Sequence, residues 1–364
     1  MHLDIDYFYA QCEETANPSI RGRPVVVCVY SGRTSDSGVV STSNYEARKY
    51  GVKAGVPIVT AKKLLGSTDA TFLPMNRLLY ESVSTRIMDI LRDYGDTFEK
   101  TGIDEAYLDI SANSNGRYDI AKMIGTTVKE IILRQEHITC SVGIAPNKLL
   151  AKIASDRTKP NGLTVVEPEQ ICTFLNGQLI NTIPGVGKKV EEKLHALNVQ
   201  TIDDLAHLNP VLLQESFGKK LGSYLFQAAR GEDYEPVQNR ELPTQMSRIG
   251  TLREDTRDFN LISPFVRELT QSLLEKLQNE DLTCKSVSII AILSNLTIHT
   301  RSKTLESHTS DLRIIDEFAQ QLMREFLESM PQAMLRRLGV KVSGLLKHSG
   351  QSNIDSFFSR HPSD

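Results

Sequence analysis

Residues 101–111 read TGIDEAYLDIS, and within that run Asp104 and Glu105 stand side by side in an otherwise apolar, β-prone stretch. An unpaired carboxylate is costly to bury, so such groups are paired, protonated or bound to a metal. Strict strand alternation sends neighbouring side chains to opposite faces. For both carboxylates to grip one cation, the chain must bend or bulge at that point, as at a hairpin tip. Thr101-Gly102 permits the bend. On this stretch alone a second reading stays open: a surface hairpin whose acidic tip sits in water.

Composition limits the alternatives. A chain of 364 residues with 24% charged and 6% aromatic residues is an ordinary globular chain of several domains. The five cysteines are scattered without a C-x-x-C pair, so neither a zinc site nor a disulfide framework is expected. No apolar run of about 18 residues is present, and the start offers no basic region followed by a cleavage site. The expected setting is cytoplasmic, with no membrane partner. The net charge of −3 argues mildly against a nucleic-acid partner if only the total is considered.

The chain opens on HLDIDYFYAQCEE, where residues 2–9 read as a strand with Asp4 and Asp6 on one face, either of which could join the acidic pair. PVVVCV at 24–29 suits a central strand. Residues 74–95 space Leu79, Val83, Ile87, Ile90 and Tyr94 as a helix that closes at Gly95. STSNYEARKYG, from 41, carries a capping-box pattern at Ser43-x-x-Glu46 and a stop at Gly51. Tyr45 and Arg48 would share a side of this short helix, with Thr42 just before it. That arrangement suits a triphosphate cradle, or an amphipathic surface helix. ITCSVGIAPNKLLAKIASDRTKPNG, from 138, reads strand, turn, helix, turn, with Lys148 and Lys152 on one side. Lys159 precedes a proline that pushes it out of helical geometry; it can reach a phosphate or simply cap the helix end.

DIDYFYAQCEE, SNYEARKYGVKAGVP, GIDEAYLDIS and CSVGIAPNKLLAKIASDRTKPNGL, in this order along the chain, resemble the Y-family DNA polymerases of the DinB, or polymerase IV, type in their compact archaeal form. The resemblance runs from residue 2 to about 345. It implies an α+β multidomain right hand: a ferredoxin-like palm (1–10 and 74–166), small fingers (11–73), a helical thumb (167–230), a linker (231–245), a βαββαβ little finger (246–345) and a flexible tail (346–364). It implies template-directed, lesion-tolerant DNA synthesis of low fidelity by a monomer, with primer-template DNA and deoxynucleoside triphosphates as partners. Asp4, Asp104 and Glu105 match the metal-binding carboxylates, with the Ile5 carbonyl as an added ligand, for two Mg²⁺ ions. Asp6 then takes a structural role. Thr42, Tyr45, Arg48 and Lys159 match the triphosphate-binding residues, and Tyr9 matches the steric gate that rejects a ribose 2′-hydroxyl. Two departures stand out: the chain begins almost on the catalytic strand, so its native start is expected to lie upstream or that strand to be short, and Gly102 replaces a common serine.

Further along, TIPGVGKKVEEKL forms a glycine hairpin feeding a helix. Gly185, Gly187, Lys188 and Lys189 resemble a helix-hairpin-helix clamp on the DNA backbone. Two helical stripes follow the linker: Leu261, Phe265, Leu269, Leu273, Leu277, then Leu312, Ile315, Ala319, Leu322, Phe326. Strands are expected at 246–253, 286–293, 296–304 and 335–343. Period two puts His299, Arg301 and Lys303 on one face, and Arg337 and Lys341 opposite Leu338, Val340 and Val342. The expectation is one outward basic face for duplex phosphates; a solvated sheet face is the alternative. The tail QSNIDSFF, with Gln351, Ile354, Phe357 and Phe358, is similar to peptides that dock on the PCNA sliding clamp and favours an archaeal source. Docking back on its own chain is the other reading. A DNA-binding protein without activity, and a nucleotide cyclase or other transferase on a similar palm, remain competing functions.

Overall fold

The computed structural model describes residues 1–239 and 242–347. The chain divides into two compact units, one of Met1–Val29 with Val39–Arg240 and one of Tyr30–Gly38 with Glu241–Asp364. Gln351, Ile354, Phe357 and Phe358, singled out by sequence, lie outside the described residues.

In the first unit the elements run β1 (His2–Ile5), α1 (Phe8–Ala16), β2 (Val25–Tyr30), β3 (Gly38–Ser43), α2 (Tyr45–Arg48), α3 (Ile58–Leu65), β4 (Thr71–Pro74) and α4 (Arg77–Arg92). Then come β5 (Thr97–Lys100), β6 (Glu105–Asp109), α5 (Tyr118–Glu136), β7 (Cys140–Ile144), α6 (Lys148–Arg157) and β8 (Leu163–Val165). Five helices close the unit: α7 (Ile171–Leu175), α8 (Lys188–Ala196), α9 (Ile202–Ala206), α10 (Pro210–Phe217) and α11 (Lys219–Ala228).

The main sheet has the order β5-β6-β1-β7-β8. Its first four strands, with α4 and α5 as crossovers, form the βαββαβ arrangement of a ferredoxin-like palm. Leu3, Ile5, Ala106 and Leu108 pack into one core with Val83, Ile87 and Leu91 of α4 and Val128 and Ile132 of α5. Each fully buried Val, Leu or Ile among them contributes roughly 1.5–3 kcal/mol. β2 lies centrally in the small sheet β3-β2-β4, as its apolar run suggests. Its alternation feeds two cores: Val25 and Val27 join the main one, while Val26 and Cys28 join that of α3. A separate helical core gathers α7 to α11 and includes Leu149, Leu150 and Ile153 of α6.

Three local expectations change. The strand at the start spans residues 2–5, not 2–9, because Tyr7 adopts a left-handed conformation (φ 35°, ψ 44°) and caps α1. Asn44, not Ser43, caps α2 by accepting from the Ala47 N–H; Ser43 belongs to β3 and donates to the Val52 carbonyl. The helix expected over 74–95 is α4, 77–92, with Thr71–Pro74 in a parallel strand beside β2.

The second unit runs β9 (Gln245–Thr256), α12 (Phe259–Asn279), β10 (Leu282–Leu293), β11 (Ile298–Thr309), α13 (Leu312–Ser329), β12 (Leu335–Ser343) and β13 (Leu346–Lys347). The expected βαββαβ order is present, with sheet order β11-β10-β12-β9 and one layer of two helices. In α12 the buried stripe is Ile262, Val266, Leu269, Leu273 and Leu277, and the expected Leu261 is exposed. Residues 346–347, placed in the tail by sequence, pair with Leu282 and Thr283.

The single basic face does not form. Ile289 pairs with both Arg301 and Val340, and Val287 with both Lys303 and Val342. Directly paired residues share a face, so Arg301 and Lys303 lie on the helix-covered side. Lys303 Nζ sits 4.7 Å from the Phe318 ring centroid on α13. Lys341 pairs with Ser288 and Arg337 with Ile292, on the opposite side. Edge position reconciles this with charge: β11 has one neighbour, so long cationic side chains pass the helix and reach water.

Candidate active site

β1, β6 and β7 place Asp4 beside Glu105 on one side and Ser141 on the other. Asp104 lies in the bend before β6, where Thr101 and Gly102 N–H groups both donate to the Glu105 carbonyl. The Asp104 carbonyl accepts from Ile5 N–H at 2.9 Å. The bend that two adjacent carboxylates require is therefore present. It joins β5 to β6 and leaves Asp104 close enough to Asp4 for its charge to act on the Asp4 carboxyl.

α6 covers this face and delivers cations to it. Lys159, just after the helix, lies 2.7 Å from Asp4 Oδ1 and 2.7 Å from Asp156 Oδ1. Lys152 donates to Glu105 Oε2, and one turn earlier Lys148 donates to the buried Glu99 at 2.8 Å. His2, fully buried, points Nε2 at Glu105 Oε2 from 3.4 Å and Nδ1 at Ser155 Oγ from 2.8 Å. Burial raises the Asp4 carboxyl to about 6 against the attraction of Lys159, with Asp104 adding to the rise. Burial also raises Asp104, and Glu105 beside it adds to that. His2 and Lys152 hold Glu105 down at about 2. For Lys159 burial acts downward, but Asp4 and Asp156 prevail and push it up to about 12. Among the described residues no three His, Cys, Asp or Glu side chains stand as a ready-made metal cage.

Asp6 lies apart from this group. Its carboxylate accepts from Thr139 Oγ1 at 2.8 Å, Ser141 Oγ at 2.7 Å and the Asn161 N–H at 2.7 Å. One buried side chain thus ties the end of β1 to the start of β7 and to the turn holding Lys159, the structural role expected of it.

A second group lies on α2. Arg48 sits 4.8 Å over the Tyr45 ring and donates from Nε to the Ser43 carbonyl at 3.1 Å. Tyr7 meets Tyr45 edge-on at 5.3 Å. Thr42 is half-buried in β3. The Tyr45 hydroxyl is raised by burial and then by Asp6, while Arg48 and Lys159 lower it, so α2 and the carboxylate group share one electrostatic region. Tyr9, half-buried on α1, stacks on Tyr80 with centroids 4.4 Å apart and planes 13° off parallel.

In the helical core, Gly185 (φ 87°) forms the hairpin tip, and Tyr224 Oη anchors it by donating to the Pro184 carbonyl at 2.6 Å. Gly187 starts α8, where Lys188 and Lys189 are exposed. Sequence reading missed His2, Glu14 and Asn44. His2 left a signal, since position i−2 from Asp4 shares its face on a strand.

The comparisons with known proteins decide what this geometry belongs to. The model of the impB/mucB/samB family matches residues 3–156, that of the family's C-terminal domain residues 243–356, and that of the DNA polymerase-iota thumb domain residues 181–233. DNA polymerase IV of Nitrosopumilus maritimus (strain SCM1) is 43% identical over 358 residues, 98% of each chain. The chain belongs to the Y family of DNA polymerases. It is a DNA-directed DNA polymerase of the polymerase IV type. DNA polymerase IV of Methanosarcina acetivorans is 42% identical over 97% of this chain and 98% of its own. Among solved structures, the Y-family chimera Dbh-Dpo4(243-245)-Dbh superposes with a TM-score of 0.90 at 38% identity, covering 95% of this polymerase and 99% of that chain. An insertion ternary complex of Dbh DNA polymerase gives 0.69 at 38% identity over the same shares. Among the described residues of the polymerase, no helix is long and apolar enough to cross a membrane.

Proposed function

We propose that this polymerase extends a DNA primer along a template, damaged templates included, by phosphoryl transfer at Asp4, Asp104 and Glu105. The observation that carries the reading is the cross-strand pairing of Asp4 with Glu105, with Asp104 at the adjoining bend and Lys159 against Asp4. The donor set fits divalent cations: three carboxylates supply the hard oxygens that Mg²⁺ favours, and mutual repulsion plus burial already raises two of them. Asp4, Asp104, Glu105 and the Ile5 carbonyl would hold two such ions. Bound, these would supply Lewis acidity at the α-phosphate and a more acidic primer 3′-hydroxyl.

The chain's own residues do the rest. Thr42, Tyr45, Arg48 and Lys159 bind the triphosphate of the incoming deoxynucleotide, and the Arg48 and Lys159 cations steady charge on the departing pyrophosphate. Gly185, Gly187, Lys188 and Lys189 approach the duplex backbone through exposed N–H groups and ammoniums. Arg337 and Lys341 add contacts from one face of the little finger, and Arg301 and Lys303 from the rim of the other. Primer extension by the wild type and by Asp104→Ala, with Mn²⁺ binding followed in both, tests the cation reading.

Tyr9 is held against Tyr80 and cannot swing aside freely, so a ribose 2′-hydroxyl meets a fixed ring. Overpacking of this kind costs about 1–3 kcal/mol, or roughly 5- to 150-fold in selectivity. Tyr9→Ala is expected to lose that much deoxy-over-ribo preference in single-nucleotide insertion; an unchanged ratio removes Tyr9 from the role.

Gln351, Ile354, Phe357 and Phe358 recruit the polymerase to the PCNA clamp by placing apolar side chains in a groove of the clamp. Phe357→Ala with Phe358→Ala removes two aromatic anchors, at least about 2 kcal/mol and so roughly 30-fold in clamp affinity. Titration against labelled PCNA reads this directly. Equal binding by variant and wild type excludes the tail.

A further inference from the structure

Glu14 is a buried carboxylate outside the catalytic group, 8% exposed, on the inner side of α1. Its oxygens accept from two side chains that flank the triphosphate residues. Oε1 accepts from Asn44 Nδ2 at 2.7 Å and Oε2 from Tyr7 Oη at 3.3 Å.

Asn44 has no freedom left. Its amide also donates to the Arg23 carbonyl at 2.6 Å, and its Oδ1 accepts from Val25 N–H and Ala47 N–H, each at 3.0 Å. All four hydrogen-bonding places of the amide are used. The Ala47 bond is the N-cap of α2, the single turn that carries Tyr45 and Arg48. Were Asn44 Nδ2 to lose Glu14, the amide could rotate and take the cap with it.

Tyr7 works from the other side. It is a non-glycine residue held in the left-handed region, an arrangement that persists only where surrounding contacts enforce it. Its ring supports Tyr45 edge-on, Tyr45 lies under Arg48, and two residues on is Tyr9. One carboxylate therefore ties the entry of α1 to the cap of α2.

We propose that Glu14 is a positioning residue that sets Tyr45 and Arg48 for the incoming triphosphate through its hydrogen bonds to Asn44 and Tyr7. This rests on the reading of Tyr45 and Arg48 as triphosphate ligands. Glu14 touches no substrate; it acts only through those two neighbours.

Single-nucleotide insertion on a primer-template tests it, with KM for the deoxynucleotide and kcat measured separately for Glu14→Ala, Glu14→Gln, Tyr7→Phe and Arg48→Ala. Glu14→Ala is expected to raise KM about 10-fold, short of the roughly 10²-fold loss that a full ångström of misplacement can cause, with a smaller fall in kcat and unchanged DNA affinity. Glu14→Gln should restore KM to within about threefold, since its amide oxygen can accept from Asn44 while its NH₂ donates to a reoriented Tyr7 hydroxyl. Tyr7→Phe, which deletes one hydrogen bond and leaves the ring, should raise KM about threefold and keeps the test open if Glu14→Ala fails to fold. A KM unmoved in Glu14→Ala but raised in Arg48→Ala overturns the inference and leaves the triphosphate reading standing. A KM unmoved in both overturns that reading. Equal KM increases for Ala and Gln at position 14 also overturn the inference, because the hydrogen bonds would not be what matters.

Discussion

Asp104→Ala is expected to abolish primer extension while leaving the protein folded and able to bind DNA. The carboxylate is one of three oxygen-donor groups proposed to hold the cations, and the transition-state stabilisation they supply is several kcal/mol. At 1.36 kcal/mol per decade, that is roughly 10³-fold or more in kcat. The substitution spares the local structure: the Ile5 N–H bond goes to the main-chain carbonyl of Asp104, which alanine keeps. Stability should not fall. Burial raises the Asp104 carboxyl above its ordinary value, and an acid whose folded pKa is raised opposes folding once pH exceeds its unfolded value. At neutral pH its removal therefore relieves the fold, a separation of activity from stability common at functional sites. Thermal melting at pH 7 and Mn²⁺ titration complete the measurement. Extension by Asp104→Ala at the wild-type rate, or a Mn²⁺ affinity equal to the wild type's, would sink the proposal.

Gly143→Ala should be the most damaging small substitution in the main sheet. β7 packs so closely under α6 that a methyl at this position would stand 2.0 Å from the Ala151 carbonyl oxygen and 2.4 Å from the Ser155 nitrogen. Both are backbone atoms of a helix, so no rotamer change can relieve the clash. Overpacking costs about 1–3 kcal/mol and sometimes more; here the upper end applies. For a unit of this size each kcal/mol lowers the melting temperature by roughly 2–4 °C, so a drop of roughly 6–12 °C in the transition of the first unit is expected by calorimetry. Extension should fall as well, since α6 must move and it carries Lys152 and Ser155. A melting temperature within about 1 °C of the wild type's would show that β7 and α6 are not in this contact.

Much of this site can be read in the chain before folding is considered, and the errors have physical reasons. Asp104-Glu105 demanded a bend, and the bend is there. The strand-turn-helix of 138–157 is plain because β-prone and helical periods follow each other; that Asn147 caps the helix shows only in the structure. Residues 2–9 alternate well enough to read as one long strand; only the buried hydrogen bonds of Asp6 and the left-handed Tyr7 end it at Ile5. Ser43-x-x-Glu46 satisfied the capping pattern, yet Asn44 won the position because its amide also serves Val25, Arg23 and Glu14, partners far away in sequence. Period two correctly separated Arg301 and Lys303 from their strand neighbours. It could not say which face meets the helices, because on the edge strand β11 long cations reach water from the covered side too. His2 and Glu14 act through residues brought near only by folding.

α6 offers cations at steps of four residues, with Lys148 to Glu99 and Lys152 to Glu105, and Lys159 follows to Asp4. A helix turns about 100° per residue, so inserting or deleting one position between Lys148 and Lys152 would swing one ammonium off the sheet while the other stayed. Exchanges of side chain along the solvent side of this segment leave both pairings in place; a change in its length does not. Of all the stretches in the molecule, this is where a gap in an alignment with an active relative would be hardest to explain.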